Sequence, residues 1–124
     1  MFPVKTVLCP TDFSEPSQEA LKIARELASQ VGAGLLLVHV VPVLPALPND
    51  PNYVLKVPEY ERLLHQDADE IVRIAEIEKA DLIVIATHGT TGWRRFMFGS
   101  VADKVVRLAK CPVLTIRNPQ EEGT

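Results

Sequence analysis

Four short runs of apolar residues constrain the fold of this chain more than any other feature of its sequence. The runs occupy residues 4–9, 35–41, 81–86 and 113–116, and turn-forming or capping residues flank them. Nearly continuous apolar runs of this length are typical of strands that are covered on both faces of a parallel sheet. The sequence therefore predicts four buried strands.

Amphipathic segments with helical spacing separate the first three runs. The first segment follows the capping-rich residues 11–17 and should end at Gly32 or Gly34, because glycine readily adopts the left-handed conformation that ends a helix. The second carries one apolar stripe over residues 59–79. Strand, helix and strand at this spacing form a right-handed crossover unit.

A third and shorter helix precedes the last strand. Ser100 is expected to cap it, with Asp103 at the capping-box position, and its inward face should be formed by Val101, Val105, Val106 and Leu108. Strands and helices thus alternate along the chain. The predicted fold is α/β, a three-layer, parallel, doubly wound sheet with helices on each side.

Composition limits the classes of function. The chain has 124 residues, which fits a single domain over residues 1–124, and its 47% hydrophobic and 23% charged content is ordinary for a soluble protein. A net charge of −3 gives no general attraction for nucleic acid. Because we find no apolar run long enough for a membrane span and no signal peptide, we expect a cytoplasmic protein.

Prolines, cysteines and one histidine add further expectations. Five of the ten prolines lie in residues 42–58, which predicts an extended loop, and the polar residues 118–124 predict a flexible tail. Cys9 and Cys111 lie in or beside apolar runs, so we expect both to be reduced core residues. His39 interrupts an apolar run and is expected to be a core histidine with one satisfied ring nitrogen.

The stretch 87–100 is the strongest candidate for a binding site. It contains Gly89, Gly92 and Gly99 and leads into the helix that begins at Ser100. Glycines let a ligand approach the backbone closely, and the first amides of a helix attract anions. The same glycines could equally be turn residues. Glycine spacing alone leaves both interpretations open.

Six motifs taken together resemble a known family. They are PTDFSE at 10–15, LVHV at 37–40, DEIVRIA at 69–75, ADLIVIATHG at 80–89, GSVAD at 99–103 and CPVLTIR at 111–117. In these motifs the chain resembles the universal stress protein family, nucleotide-binding branch, over nearly its whole length except about residues 43–66. The resemblance implies a Rossmann-like fold of the adenine nucleotide alpha-hydrolase type. It also implies binding of ATP or another adenine nucleotide by a stress-response or signalling module.

The resemblance further implies which residues hold the nucleotide. The family pattern of three spaced glycines and a hydroxyl residue aligns with Ala86 at the first glycine position, a departure that resists positive φ. The residues that it assigns to the nucleotide are Pro10, Thr11, Asp12, Val40, Ala86, Gly89, Gly99, Ser100 and Val101. His88, Arg94 and Arg95 are candidate phosphate contacts, for which structural or solvated roles stay open. Mg²⁺ is expected only through the phosphates.

The sequence leaves open two roles for Asp12 and three functions for the chain. From its position, Asp12 could accept hydrogen bonds from the ribose or adenine, or from backbone amides at the start of the next helix; the family pattern favours the ligand. We find no histidine pair with metal-ligand spacing and no catalytic motif, so an enzyme is not expected. The alternatives to a nucleotide-binding module are a non-nucleotide-binding oligomeric protein of the same family and a very slow ATP hydrolase.

The middle of the chain is shorter than the family pattern. The resemblance implies loss of the family's third strand, an edge strand, by a splice near residues 66–69. Four strands would remain, in the order 2-1-4-5 in family numbering, with the outer edge of the second strand exposed. We predict that residues 43–57 or a partner subunit cover this edge, because an exposed apolar edge invites pairing. The resemblance separately implies a homodimer through the last strand, residues 113–116.

Overall fold

A computed structural model describes residues 3–40, 57–87 and 100–117. Along the chain these form β1 (Thr6–Pro10), α1 (Glu15–Val31), β2 (Gly34–Val38), α2 (Val57–Ile77), β3 (Leu82–Ala86), α3 (Ser100–Leu108) and β4 (Val113–Ile116). All strand pairs are parallel, and the sheet order is β2-β1-β3-β4. The predicted α/β class and the predicted strand order are both confirmed.

Local signals at α1 act as the sequence predicts. Ser14 is the N-cap and its hydroxyl accepts a hydrogen bond from Ser17 N at 3.3 Å, while Pro16 occupies the first turn, where a missing N–H is harmless. Gly32 ends the helix with φ 71°, a conformation that side chains other than glycine's disfavour.

The other two helices begin at slightly different places from those expected. α2 starts at Val57 and therefore includes Pro58, which the sequence had placed in the proline-rich loop. Proline is compatible with a first helical turn because the N–H that it lacks would have no intrahelical acceptor there. α3 contains Ser100 as its first residue, so the capping position is residue 99, outside the described residues.

Side-chain alternation along the strands divides the core into two clusters. Leu8 points to one face of the sheet, where α2 and α3 cover it, and Val7 and Cys9 point to the other face, under α1. All three are fully buried. The core on the α2 and α3 face comprises Leu8, Ala68, Ile71, Ala75, Ile83, Ile85, Ala102 and Val105. The core under α1 comprises Val7, Cys9, Ala20, Ala24, Ala28 and Val84.

The prediction that β2 is covered on both faces is wrong. Leu36 and Val38 pack against the core beneath α2 and α3, but Leu35 and Leu37, on the α1 side, are 36% and 49% exposed. The cause is the position of α1, which packs mainly on β1 and β3. The edge strand β2 therefore presents leucines to solvent on that face.

Candidate functional site

A divergence between the two central strands defines the candidate site. β1 pairs with β2 as far as Pro10, and β3 pairs with β4 as far as Ala86, but the pairs between β1 and β3 stop at Leu8 and Ile83. The last two residues of β1 and the last three of β3 are therefore not paired with each other. The chain winds outward in opposite directions from these two strands, and ligands of doubly wound sheets bind at such a switch point.

The loop after β1 forms one side of this crevice and is organised by its own side chains. Thr11 N donates to Val38 O at 2.8 Å, which extends the ladder beyond β1. The Thr11 hydroxyl accepts from Phe13 N at 3.0 Å and lies 3.0 Å from the Ser17 hydroxyl. The Thr11 side chain therefore makes its contacts within the loop, while the Thr11 backbone N–H is bonded to the last residue of β2.

Asp12 does the structural work that the sequence left open. Its Oδ1 accepts hydrogen bonds from Ser14 N, at 3.0 Å, and from the Ser14 hydroxyl, so the carboxylate orders the N-cap of α1. The side chain is exposed at the carboxyl end of β1. This contact agrees with the backbone interpretation, and the ligand interpretation stays a prediction.

His39 is not the core residue that its apolar neighbours suggested. It is exposed just beyond β2, because the last strand residue is Val38. Its Nδ1 donates to Thr11 O at 2.9 Å, so one ring nitrogen is satisfied as expected. Its ring lies 4.5 Å from that of Phe13, which is 66% exposed and has φ 65°. The pair forms an exposed aromatic wall beside the crevice that sequence reasoning missed.

Asp67, on α2, is a second residue that sequence reasoning missed. Burial raises the pKa of its carboxyl, and the nearby His39 charge acts in the opposite direction. Asp67 therefore lies on the same side of the molecule as the end of β2. Its position in the shortened middle, where the family motifs do not extend, is why no sequence signal identified it.

The end of β3 forms the other side of the crevice. Ala86 is half-buried and packs on the α1 side. Thr87 N donates to Ile116 O at 3.0 Å, so the ladder with β4 continues one residue past β3. Thr87 is buried, and its hydroxyl has no hydrogen-bond partner within the described parts of the chain.

The amino end of α3 lies on the α2 and α3 face of the sheet. Ser100 is exposed and Val101 is half-buried against the core, together with Ala102 and Val105. Asp103 is paired with Arg107 at 3.1 Å. The expectation for Val106 and Leu108 was wrong: both are more than two-fifths exposed, at 43% and 45%, because they lie off the stripe formed by 101, 102, 105 and 109.

Several candidate residues lie outside the described residues: Gly89, Gly99, His88, Arg94 and Arg95. The candidates that the structure does describe, Pro10, Thr11, Asp12, Val40, Ala86, Ser100 and Val101, follow strand ends or begin α3. Within residues 3–40, 57–87 and 100–117 no cluster of side chains could hold a metal ion, and no helix is long and apolar enough to cross a membrane. Cys9 is buried, Cys111 is half-buried, and both are free thiols.

Comparison with known proteins decides the family. The sequence profile of the universal stress protein family matches residues 3–61 and 50–117. The chain belongs to the universal stress protein family. It is 36% identical to the universal stress protein MJ0531 of Methanocaldococcus jannaschii, over 95% of this chain and 85% of that protein. It is 34% identical to a universal stress protein of Thermus aquaticus, over 91% of this chain and 98% of that protein.

Solved structures agree on the fold. UspA from Lactobacillus plantarum superposes with a TM-score of 0.69 at 24% identity, covering 92% of this chain and 98% of that one. A universal stress protein described as a complex with cAMP superposes with a TM-score of 0.60 at 23% identity, covering 91% and 97%.

The family matches also bear on the shortened middle. The profile matches in two segments that overlap at residues 50–61, and the alignment with MJ0531 spans 144 positions, more than the length of this chain. A family member therefore has residues that this chain lacks. Among the described residues the sheet has four strands with β2 at one edge, which agrees with the predicted loss of an edge strand.

Proposed function

We propose that this chain is an adenine-nucleotide-binding universal stress protein, a cytoplasmic stress-response or signalling module that holds ATP or a related nucleotide. The observation that carries the proposal is the crevice between β1 and β3. Of the residues that the family resemblance assigns to the nucleotide, Thr11 and Asp12 follow β1, Ala86 ends β3, and Ser100 is the first residue of α3, which supports the proposal.

The electrostatics of the crevice support an anionic ligand. The amino end of α3 carries partial positive charge, and the first N–H groups of a helix lack intrahelical acceptors. Asp103 in the first turn is paired with Arg107 at 3.1 Å. The family member solved with cAMP adds support, because cAMP is an adenine nucleotide. A magnesium ion would enter with the phosphates rather than through a protein site.

Calorimetric titration of the folded chain with ATP and Mg²⁺ tests the proposal. Bound ligand should also raise the melting temperature, since ligand at a hundred times Kd contributes about 2.7 kcal/mol to stability. No heat and no thermal shift at millimolar nucleotide would overturn it.

A charge substitution locates the site. Ser100→Asp places a carboxylate at the first residue of α3. The helix dipole stabilises a negative charge there, but the same charge repels phosphate. We expect the fold to be retained and affinity for ATP to fall at least tenfold. Gln30→Glu is the matched control, because it adds the same charge near the opposite end of α1 and should leave affinity unchanged. Equal affinity in both variants would place the site elsewhere.

Binding without efficient turnover is part of the proposal. A slow hydrolase would require ATP turnover by the wild-type chain above that of Ser100→Asp.

A second candidate, a homo-oligomer that acts only through protein contacts, is favoured by the exposed leucines of β2. The proposed assembly is a homodimer or higher homo-oligomer. Nucleotide released when the purified protein is denatured would exclude the non-binding candidate, whatever the assembly.

A further inference from the structure

Strand β2 has an edge with which no strand among the described residues pairs. It stands at one end of the sheet order β2-β1-β3-β4, and its other side is bonded to β1. Gly34 N donates to Lys5 O at 2.8 Å, so the backbone groups of Gly34 and of every second residue after it face β1. The backbone N–H and C=O groups of Leu35 and Leu37 therefore face the free edge.

The same two leucines carry the exposed side chains of the strand. Leu35 and Leu37 are 36% and 49% exposed on the α1 side, whereas Leu36 packs against the core on the opposite face. Val31, the last residue of α1, is also 48% exposed. β2 contains no charged residue and no proline, which are the devices that commonly prevent an edge strand from pairing. This edge is therefore suited to receive another strand.

We propose that two copies of this chain pair through their β2 edges, antiparallel and about a two-fold axis at Leu36. In this register Leu35 lies opposite Leu37 of the second copy, and symmetry repeats the pair on the other side of the axis. The backbone groups of both pairs face each other, so four hydrogen bonds form. The four leucines meet on one face of the joined sheets, because directly opposed residues point to the same side.

A second β2 suits this edge better than the segment that follows β2 in the chain. Prolines occupy positions 42, 45, 48 and 51. A strand made of residues 41–51 would lack one in three of the N–H groups that face β2, whichever way it turned, because proline has no N–H to donate. A second β2 has all of its donors and brings no charge to the edge. The inference goes beyond the proposed assembly by naming its surface and register, and it does not depend on nucleotide binding.

Hydrogen exchange at single-amide resolution tests the pairing in the wild-type chain. Stable interfaces bury about 1,200 Å² or more, and two five-residue strands offer less, so association should be weak. The amides of Leu35 and Leu37 should exchange roughly tenfold more slowly at near-millimolar than at low micromolar protein, by mass action. The Leu36 amide faces β1 and should be protected at both concentrations.

The opposite edge of the sheet supplies the matched control. Pro112 O accepts from Ile83 N of β3 at 3.0 Å, so by the same alternation the amides of Val113 and Thr115 face away from β3. Their exchange should not depend on concentration if copies pair only through β2. If these two amides gain protection and the two leucine amides do not, the copies associate through β4. That result would overturn the inference, although the proposed assembly would stand.

Two double variants test the register. Leu35→Lys with Leu37→Lys sets lysine opposite lysine in both pairs, whereas Leu35→Lys with Leu37→Glu sets lysine opposite glutamate in both pairs. Both variants replace the same partly exposed leucines, so their effects on the single chain are matched. We expect the first to associate about tenfold or more weakly than the second in sedimentation velocity. An axis at Leu35 would set lysine opposite lysine in both variants, so equal weakening would overturn this register.

The remaining outcomes of the exchange experiment also decide. Leucine amides that are equally protected at both concentrations would show that the chain itself covers the edge, and leucine amides that exchange freely at both would show that nothing does. Either result overturns the inference. A monomer at near-millimolar concentration would overturn the proposed assembly as well. Calorimetry with ATP is independent of these measurements, so nucleotide binding would stand in every case.

Discussion

The same truncation at two leucines on neighbouring strands should have very different effects on stability. Leu8 on β1 is fully buried in the core beneath α2 and α3, whereas Leu37 on β2 is 49% exposed on the α1 side. Leu8→Ala leaves a cavity between a central strand and two helices, where relaxation is limited. We expect a loss of about 3–5 kcal/mol in the free energy of unfolding.

Leu37→Ala removes a side chain that is already half in water. About half of the transfer free energy of three carbon groups is at stake, and no enclosed cavity forms, so the loss should be about 1 kcal/mol. For a chain of 124 residues, 1 kcal/mol corresponds to a shift of about 4 °C in Tm. Leu8→Ala should therefore lower Tm by roughly 12–20 °C, and Leu37→Ala by roughly 4 °C.

Urea denaturation of both variants at low and high protein concentration measures these values and tests what covers β2. If Leu37→Ala is as destabilising as Leu8→Ala at every concentration, the chain itself covers the exposed leucines and the reasoning is refuted. If the loss at Leu37 appears only at high concentration, a second copy covers the strand, because association stabilises the folded state by mass action.

Three further predictions concern titratable groups. Asp81 Oδ2 accepts hydrogen bonds from Lys5 N at 2.8 Å and from Thr6 N at 3.0 Å, and these bonds lower the pKa of Asp81. The stability lost in Asp81→Asn should therefore be greatest above pH 3.8 and should shrink as the pH falls through the lowered pKa. Acid denaturation measures this, and a difference that does not depend on pH would contradict it. Burial raises the pKa of Asp67, so Asp67→Asn should be more stable than wild type at neutral pH, and this gain should vanish below pH 3.8. A loss of stability at pH 7 would instead show that the Asp67 carboxylate has a favourable partner. Burial raises the pKa of the Cys9 thiol to about 11. In native protein at pH 8 a thiol reagent should therefore modify the half-buried Cys111 and leave Cys9 protected until the protein unfolds. Equal rates of modification at the two cysteines would show that β1 opens locally.

Elements with strong local signals were predicted almost to the residue. β4 coincides with the predicted residues 113–116, and Gly32 ends α1, because a bounded apolar run and a helix-ending glycine act through nearby atoms. The start of α2 was missed by two residues because proline is compatible with both a loop and a first helical turn. The parallel order followed from the alternation of strands and helices and from the missing family strand.

Side-chain environments were harder to predict because they depend on distant parts of the chain. An apolar run indicates burial only on average, and where α1 lies across the sheet decides that Val7 is covered while Leu35, its register partner, is exposed. The predicted strand 35–41 contains His39, but β2 ends at Val38, so His39 lies one residue beyond the strand and is exposed. The unsatisfied hydroxyl of Thr87 has no sequence signal, since only the folded surroundings reveal a missing partner.

The shortened middle of the chain changes the edge of the sheet without removing the crevice. The crevice lies between the two central strands, β1 and β3, so loss of an edge strand beyond β2 leaves its borders in place. Ligand binding and assembly through the β2 edge should therefore be separable. We expect Leu37→Ala to leave ATP affinity unchanged while altering association, and Ser100→Asp to lower ATP affinity while leaving association unchanged. Sedimentation velocity and calorimetry on the two variants measure both properties. Coupled losses in either variant would show that the edge strand and the crevice are not independent.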